Sequence, residues 1–398
     1  MSTPRQWRRP MRARDRHEPH RVATPLELLF DLCFVVAIAQ LGQLLHHSIT
    51  EHHVAHGVVG FVIAFFAVWW AWMNFTWFAS AYDTDDVPYR LTALVQISGV
   101  LVLAAGIPDA FEGHLGVVTL GYAIMRIGLV VQWLRASFSV PASDGPGPRR
   151  TARRMAVGVT ACLIGWTLLL SVHGTTFLLL WPVMVAAELA VPVWAERDHP
   201  TPWHPHHIAE RYGLLFIIVL GEVVLSTTLA VEGGFRAGRL WWIAGSGLVI
   251  VFSFWWLYFE RPVHDRLRGN REAFVWGYGH CFVFGSAAAL GAGLAVVLED
   301  DASGPPLAVC LPVALLLVSL QLLHLDGPRR QRRRLASASA SASASALAFA
   351  SYLSAFIVIV LAFSGYFALP LVALVLAALV AVRVAATPSA ASATTPAP

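Results

Sequence analysis

The chain has 398 residues, of which 57% are hydrophobic and only 13% are charged, and its formal net charge at pH 7 is +4. Roughly a quarter of an ordinary soluble domain is charged, so this composition excludes that class and indicates an integral membrane protein. All 28 basic residues are arginines. Nearly all of them lie in short connections between apolar runs, which reflects orientation in a membrane and excludes a nucleic-acid footprint.

Twelve apolar runs are long enough to cross a bilayer, which takes about 17 to 25 residues in a helix. The predicted fold class is therefore an all-α integral membrane protein with about 12 transmembrane helices. The predicted spans are 26–45, 54–78, 91–108, 115–137, 155–172, 175–195, 208–230, 239–259, 272–298, 306–324, 347–363 and 366–384. The small residues of Ser364-Gly365-Tyr366 permit a tight turn between the last two.

The arginines alternate between connections as the positive-inside rule requires of twelve spans. The side with both termini carries 25 of them, Arg211 included, while the other side carries Arg236 and Arg239 and a span contains Arg126. Both termini are therefore predicted to be cytoplasmic, in a multi-pass protein of the inner (plasma) membrane. The first run has full span length and contains acids, so we expect it to be retained as a helix and not cleaved as a signal peptide.

Composition shifts divide the chain into predicted parts. In chain order these are an Arg-rich cytoplasmic tail (1–24), a first six-helix half (25–195), a cytoplasmic linker (196–207), a second six-helix half (208–385) that includes an Arg-rich and Ala/Ser linker (325–346), and a disordered C-terminal tail (386–398). The cytoplasmic arginine clusters, such as Arg329 to Arg334, are expected to lie against anionic lipid headgroups.

An internal repeat is predicted from two matches at one offset. Leu28-Leu29-Phe30 matches Leu214-Leu215-Phe216, and Trp69-Trp70 matches Trp255-Trp256, both at an offset of 186 residues (214 minus 28). Six spans separate the members, so the halves would be parallel, related by an axis along the membrane normal. The alternative is chance, because both short motifs are common in membrane helices.

Two acids lie inside the first span. Glu27 and Asp31 are four residues apart, so they share one helix face and form a polar stripe. Acids at membrane depth cost several kcal/mol and usually face a bundle interior or a water-filled path. They predict a cation or proton site that opens toward the cytoplasm. The alternative is that Glu27 interacts with the helix dipole and Asp31 only pairs with an arginine.

Other charged and polar residues lie within predicted spans. Arg126 needs an acidic partner, which Asp31 or Glu188 could supply. A network of these three residues could be architectural or functional, since buried ion pairs also fix helix register.

Three further spans carry an intramembrane polar group. Glu222, at about 21 Å into its helix, is the deepest acid and is either part of an ion path or a protonated group that locks two helices. Gln96 and His280 either take part directly or join helices by hydrogen bonds.

No enzyme motif, cofactor site or metal site is predicted. Ser246 and His280 come nearest to a nucleophile and base, but their depths place them about 8 Å apart, too far for a hydrogen bond. The external histidines have one helical i, i+4 pair but no fixed metal-ligand spacing, and whether they bind metal is left open. They are His46, His47, His52, His53 and His56.

Three stretches resemble signatures of the bacterial low temperature requirement protein A family. They are TPLELLFDLCFVVAIAQL at 24–41, ERYGLLFIIVLGE at 210–222 and WWLYFE at 255–260. The resemblance covers roughly 20–385 and implies a multispanning membrane protein of a family linked by name to growth in the cold. The first stretch is also loosely similar to two-repeat potassium channels with a Phe-Ser-Asp motif, although Asp31 directly follows Phe30 here.

The sequence thus predicts a transporter or permeation protein with an interior polar path, and protons are one candidate cargo of that path. The path would comprise Glu27, Asp31, Arg126, Glu188, Glu222, Gln96 and His280. The expected partners are the lipid bilayer and a small solute, ion or proton, with no nucleic acid. Two alternatives are a two-repeat cation channel and a non-transporting membrane protein whose buried ion pairs are structural.

Overall fold

The computed structural model of the protein describes residues 7–15, 18, 21–232, 239–261, 263, 267, 269–299, 305–324, 338–364 and 369–386. Every regular element in these ranges is a helix. The predicted cluster from Arg329 to Arg334 and most of the predicted C-terminal tail lie outside the described residues.

Each predicted span falls on a long helix. The helices are α1 (Pro25–Thr50), α2 (Val54–Tyr82), α3 (Val87–Ala105), the short α4 (Ile107–Phe111), α5 (Gly116–Ser139), α6 (Gly147–Leu169), α7 (Gly174–Ala195), α8 (Pro205–Glu232), α9 (Arg239–Phe259), α10 (Asn270–Glu299), α11 (Leu307–Leu323), α12 (Ala338–Phe363) and α13 (Leu369–Ala385), with a 3₁₀ turn at Ala142–Asp144.

Apolarity and length together identify the helices that can cross a bilayer. Among the described residues, eight helices are long and apolar enough to do so, and three shorter apolar helices accompany them. A helix satisfies its own backbone hydrogen bonds, which is why long apolar helices are stable in lipid. The all-α membrane class is therefore confirmed, while the arrangement in two six-helix halves and the cytoplasmic termini stay predictions.

The chain divides into two compact units. The first comprises 1–218 and 263–274, and the second comprises 219–262 and 275–398, so the division passes through α8. The predicted parts of the chain are not tested by this division, because it describes packing and not ancestry or sidedness.

In the first unit, local capping determines where α1 and α3 begin. Thr24 and Glu27 form a capping box: the Thr24 N–H donates to Glu27 Oε2 at 2.7 Å, and the Glu27 N–H donates to Thr24 Oγ1 at 3.3 Å. Pro25 occupies the first helical turn, where its missing N–H costs nothing. Asp86 caps α3 by accepting the Tyr89 N–H at 3.0 Å. The position of Glu27 is thus fixed by the start of its own helix.

The segment before α1 packs onto the first unit. The Arg9 N–H donates to Asp86 Oδ2 at 2.7 Å, and Arg135 donates to the same carboxylate and to the Arg9 carbonyl. Met11 is fully buried in the core with Phe78. Burial alone would raise the pKa of Asp86, but the hydrogen bonds from Arg135 and Arg9 lower it below its usual value.

Close contact between α3 and α5 depends on two glycines. A Cβ on Gly121 would lie 2.3 Å from the Leu103 nitrogen, and one on Gly99 would lie 2.8 Å from the Gly121 carbonyl oxygen. Neither position has room for a side chain, so the two backbones approach as closely as small residues permit in membrane helices. This crossing holds the middle of α5, which carries Tyr122 and Arg126, against the unit.

The second unit contains two buried polar groups among its apolar helices, one around Arg383 and one around His280. The buried Arg383 of α13 donates to Glu260, to Gln321 Oε1 at 2.9 Å and to Ser351 Oγ at 2.6 Å. His280 of α10 lies 3.1 Å from the Tyr258 hydroxyl and 2.7 Å from the Trp276 carbonyl. Both polar groups are therefore held by hydrogen bonds inside this unit.

Candidate functional site

Two buried charge clusters occupy the first unit. The first, here called the Arg211 cluster, joins two acids of α1 to two bases at the start of α8 and consists of Glu27, Asp31, His207 and Arg211. All four side chains have 0% exposure. The acids are four residues apart, and so are the bases, so each pair lies on one face of its helix.

The first base, His207, pairs with the first acid, Glu27, and the second base, Arg211, pairs with both acids. Arg211 Nη2 lies 2.5 Å from Asp31 Oδ1, and Arg211 Nη1 lies 3.1 Å from Glu27 Oε1. His207 Nε2 lies 3.1 Å from Glu27 Oε1. The Trp72 indole N–H adds a hydrogen bond of 2.7 Å to Asp31 Oδ1. One guanidinium thus bridges both acids, which is the planar, multidonor role for which arginine is suited.

The charges of the Arg211 cluster do not balance. Two carboxylates and one guanidinium leave a formal charge of −1 unless His207 or one carboxyl carries a proton. Of the atoms at its centre, Asp31 Oδ2 and His207 Nδ1 have no hydrogen-bond partner within the part of the chain that the structure describes. Because an isolated buried charge is very costly, a proton or a cation is expected to complete the set.

Asp83 and Arg21 lie next to the cluster, outside the membrane-spanning helices. The Arg21 guanidinium donates to the backbone carbonyls of Ser80 and Ala79, the latter at 2.7 Å, and interacts electrostatically with Glu27 and Asp83. Burial, together with the nearby Glu27 charge, raises the pKa of Asp83 to about 6. At neutral pH these two residues carry opposite charges, so together they add no net charge to the cluster.

The second group, here called the Glu188 cluster, surrounds one carboxylate with four donors. It consists of Trp70, Tyr122, Arg126, Trp166 and Glu188. The Trp70 indole donates at 2.8 Å, the Tyr122 hydroxyl at 2.8 Å, the Trp166 indole at 3.0 Å and Arg126 Nη2 at 3.0 Å. Glu188 and Arg126 are 1% and 2% exposed, so this is a desolvated and balanced ion pair.

Two features leave unused hydrogen-bonding capacity in the Glu188 cluster. Arg126 Nε and Nη1 are buried and have no hydrogen-bond partner among the described residues. Pro192, four residues after Glu188 inside α7, has no N–H for the Glu188 carbonyl. Such groups in a native core indicate bound water, a ligand or a functional role.

A cavity of about 60 Å³ borders the Glu188 cluster. Most of its wall is apolar, and two of its wall residues, Tyr122 and Trp166, donate to Glu188. The remaining walls are formed by Ile63, Ala64, Phe66, Ala67, Ala110, Leu115, Val118, Thr119, Leu169, Leu170, Phe177 and Trp181. The cavity has room for one or two water molecules beside the buried carboxylate.

Of the predicted path residues, the structure brings four together in two pairs. Glu27 and Asp31 share Arg211, and Arg126 pairs with Glu188. Sequence reasoning allowed Asp31 or Glu188 as the partner of Arg126. In the structure Arg126 forms its ion pair with Glu188, whereas Asp31 is bonded to Arg211. The predicted three-residue network is therefore two separate pairs.

The other three predicted residues are held elsewhere. Gln96 donates to Gln132 Oε1 at 2.9 Å, which joins α3 to α5. Glu222 is half-buried in the part of α8 that belongs to the second unit, and His280 is buried in that unit. Their membership of a path stays a prediction.

Sequence reasoning missed Arg211, the cation that pairs with both Glu27 and Asp31. Arg211 was counted only among the arginines that orient the chain, and His207 only as part of a linker, yet α8 begins at Pro205 and buries both. Their i, i+4 spacing, which equals that of Glu27 and Asp31, was a signal that could have suggested the pairing. The tryptophans and Tyr122 that donate to the acids gave no such signal, because aromatic residues are abundant in these helices.

The enzyme and metal alternatives gain no support from geometry. Ser246 Oγ donates to the Trp242 carbonyl of its own helix at 2.6 Å. Within the described ranges, no group of three or more His, Cys, Asp or Glu side chains is arranged to hold a metal ion.

Comparison with known proteins supplies a family. The model of the family described as Bacterial low temperature requirement A protein (LtrA) matches residues 22–386. A relative is the uncharacterized protein RA0937 of Rhizobium meliloti (strain 1021), which is 25% identical over 275 residues. That alignment covers 65% of this chain and 65% of the relative's own length.

Proposed function

The chain belongs to the bacterial low temperature requirement A protein family, and we propose that it is a multi-pass membrane transporter whose first unit binds and transfers a proton. The Arg211 cluster is the proton-binding site in this proposal. The Glu188 cluster and the adjacent cavity form the next part of the polar path. The proposal includes no catalytic step.

The observation that carries the proposal is the charge of the Arg211 cluster. Four fully buried titratable side chains contain two acids and one permanent cation. In this proposal the balancing proton is shared among His207 and the two carboxyls, and His207 Nε2 lies within 3.1 Å of Glu27 Oε1. Membrane proteins place such groups where protons or ions move.

One helix connects the two clusters. Trp72 donates to Asp31, and Trp70, two residues earlier on α2, donates to Glu188. A change in the charge or position of Asp31 therefore acts on the helix that also holds Glu188. Beyond Glu188, the mainly apolar cavity offers space for water or a small solute, and Tyr122, Trp166 and the unused Arg126 donors are the polar groups of this part of the path.

A proton-flux assay in proteoliposomes tests the proposal. With the full chain reconstituted and a pH-sensitive dye inside, an imposed pH gradient should collapse faster than in protein-free vesicles. Asp31→Asn, which keeps the side-chain shape but removes the charge, should reduce this flux at least tenfold. A screen of candidate solutes under the same gradient would then identify the coupled substrate.

Asp198→Asn is the matched control, because Asp198 is exposed and the substitution changes the charge equally. Its flux should equal that of the wild type. Unchanged flux in Asp31→Asn, with the variant folded as judged by size-exclusion chromatography and thermal unfolding, would overturn the assignment of Asp31. Flux driven by voltage alone and selective for a cation would favour a channel instead.

A second candidate function is architectural. It is favoured by one observation: Glu27, Asp31 and Glu188 each have a cationic partner. In that case the ion pairs only fix helix register. Wild-type protein would then show no flux above protein-free vesicles for any gradient or solute, while Asp31→Asn would still lower thermal stability.

A further inference from the structure

A groove lined by arginines lies at the start of α6, and none of its lining residues belongs to either charge cluster. It has a volume of about 350 Å³. Its walls are Pro146, Arg149, Arg150, Arg153, Arg154 and Val157 of α6 and the loop before it, together with Trp194 in the last turn of α7. Four guanidinium groups thus surround one opening.

The groove has more positive charge than its surroundings neutralise. Arg154 pairs with Asp198 at 2.6 Å and lies over the Trp194 ring at 5.8 Å. Asp198 also interacts electrostatically with Arg150. Arg150 and Arg153 are exposed and make no ion pair within the described ranges. Three positive charges therefore remain after Asp198 is counted.

An apolar stripe leaves the groove along the same face of α6. Val157, Ile164 and Leu168 are 61%, 56% and 66% exposed and are spaced by seven and four residues, so they lie above one another on the helix. Trp194, which is 40% exposed, completes the apolar floor of the groove. The site thus combines clustered guanidinium groups at one end with an uncovered apolar surface that continues into a helix long enough to cross a bilayer.

We propose that this groove binds one anionic phospholipid. Guanidinium groups bind phosphate oxygens in bidentate geometry, and Arg150 and Arg153 have their donors available for this. Trp194 is in the last turn of α7, and tryptophan is enriched at the ends of membrane spans, so it would meet the headgroup region while the acyl chains lie along Val157, Ile164 and Leu168. A free phosphate would use the arginines alone, whereas a lipid also covers the apolar stripe, and this is why we assign a lipid.

Native mass spectrometry of the full-length protein tests the assignment. The protein is purified in detergent and titrated with phosphatidylglycerol or, separately, with phosphatidylcholine. We expect one phosphatidylglycerol to remain bound at collision energies that remove phosphatidylcholine. The variant Arg149→Gln/Arg150→Gln/Arg153→Gln should lower the fraction of this complex at least fivefold.

A control variant removes the same charge elsewhere. Arg8, Arg12 and Arg90 lie outside the groove, so their combined change to glutamine should leave retention of phosphatidylglycerol unchanged. If both triple variants lose the lipid equally, attraction is only a matter of net charge and the groove is not a site. Val157→Asp gives a separate readout, because it keeps all arginines but should weaken retention at least threefold.

Competition distinguishes a lipid from a free anion. Inorganic phosphate at millimolar concentration should not displace the retained phosphatidylglycerol. Displacement by phosphate, or equal retention in Val157→Asp, would show an anion site without a lipid and would overturn the proposal. A thermal unfolding midpoint within a few degrees of the wild type shows that each variant is folded.

Discussion

Arg211 is the residue on which the first charge cluster depends, because it is the only guanidinium bonded to both Glu27 and Asp31 among the described residues. Removing one partner of a buried ion pair leaves an uncompensated charge, whereas removing both partners is often tolerated. The stability of the first unit should therefore respond very differently to single and double substitutions at this site.

The variant Arg211→Gln should destabilise the protein by about 3–5 kcal/mol, since it leaves two buried carboxylates without their cation. The double variant Arg211→Gln/Asp31→Asn should recover part of this loss. Denaturant unfolding in detergent micelles measures both. The matched control is Arg90→Gln, whose partner Asp85 is exposed and whose ion pair is worth about 0–1 kcal/mol. Equal losses for Arg211→Gln and Arg90→Gln would contradict the buried pairing.

The buried carboxylate of Glu188 is stabilised in a different way from those of Glu27 and Asp31. Its carboxylate accepts bonds from two indoles, one hydroxyl and one guanidinium, so its charge is dispersed over neutral donors as well as Arg126. The two indoles and the hydroxyl stay neutral across the physiological pH range. This cluster is therefore suited to hold a fixed charge, whereas His207 allows the Arg211 cluster to change its protonation.

At the scale of elements, the crossing of α3 and α5 determines where Arg126 lies. The two helices meet at Gly99 and Gly121, where backbone atoms occupy the space of any Cβ. A side chain at Gly121 must push the helices apart, because the nearest atoms, the Leu103 nitrogen and the Gly99 carbonyl oxygen, belong to the main chain. The effect would extend to Tyr122, the next residue on α5.

The variant Gly121→Ala should therefore cost about 1–3 kcal/mol, the usual range for overpacking. Gly116→Ala on the same helix is the control, because a Cβ there meets open space. The thermal unfolding midpoint in detergent should fall only for the first variant. A similar unfolding midpoint for both variants would mean that α3 and α5 can move apart without a loss of stability, which would contradict the prediction.

At the scale of the whole molecule, two largely buried carboxyls outside the spans should each contribute a loss of stability as pH rises through the neutral range. Burial raises the pKa of Glu196, which follows α7, to about 7, and it raises that of Asp83 to about 6. A carboxyl whose pKa is higher in the folded state contributes stability below its unfolded pKa and loses it as pH rises through the folded pKa. The decline should thus lie between about pH 4.5 and pH 7.5.

The variant Glu196→Gln should remove about 2 kcal/mol of this decline, a figure reduced from the full pKa shift because the side chain is partly exposed. Its amide oxygen can still accept the Asn270 Nδ2 hydrogen bond, which is 2.5 Å long in the wild type. Thermal unfolding at pH 5, 6, 7 and 8 measures the slope. An identical slope in wild type and variant would assign the dependence to other groups, whereas Asp198→Asn, an exposed acid, should leave it unaltered.

Much of the fold could be predicted because its causes are local. Apolar runs of span length become helices in which each backbone group finds its partner within the segment. Helix starts are also local, as with Thr24, Pro25 and Glu27 at α1. The predicted start of the seventh span at 208 differs from the start of α8 at Pro205 by only a few residues, yet those residues contain His207.

Sequence alone thus determined the membrane class, the long apolar helices and the acids that need partners, because hydropathy and charge are properties of the segment itself. Only the tertiary structure decided which partners they have. Asp31 and Arg211 are 180 residues apart in the chain, and Arg126 and Glu188 are 62 apart. Such pairing depends on the order in which helices pack and on close approaches such as that at Gly121, and neither is encoded within a single segment.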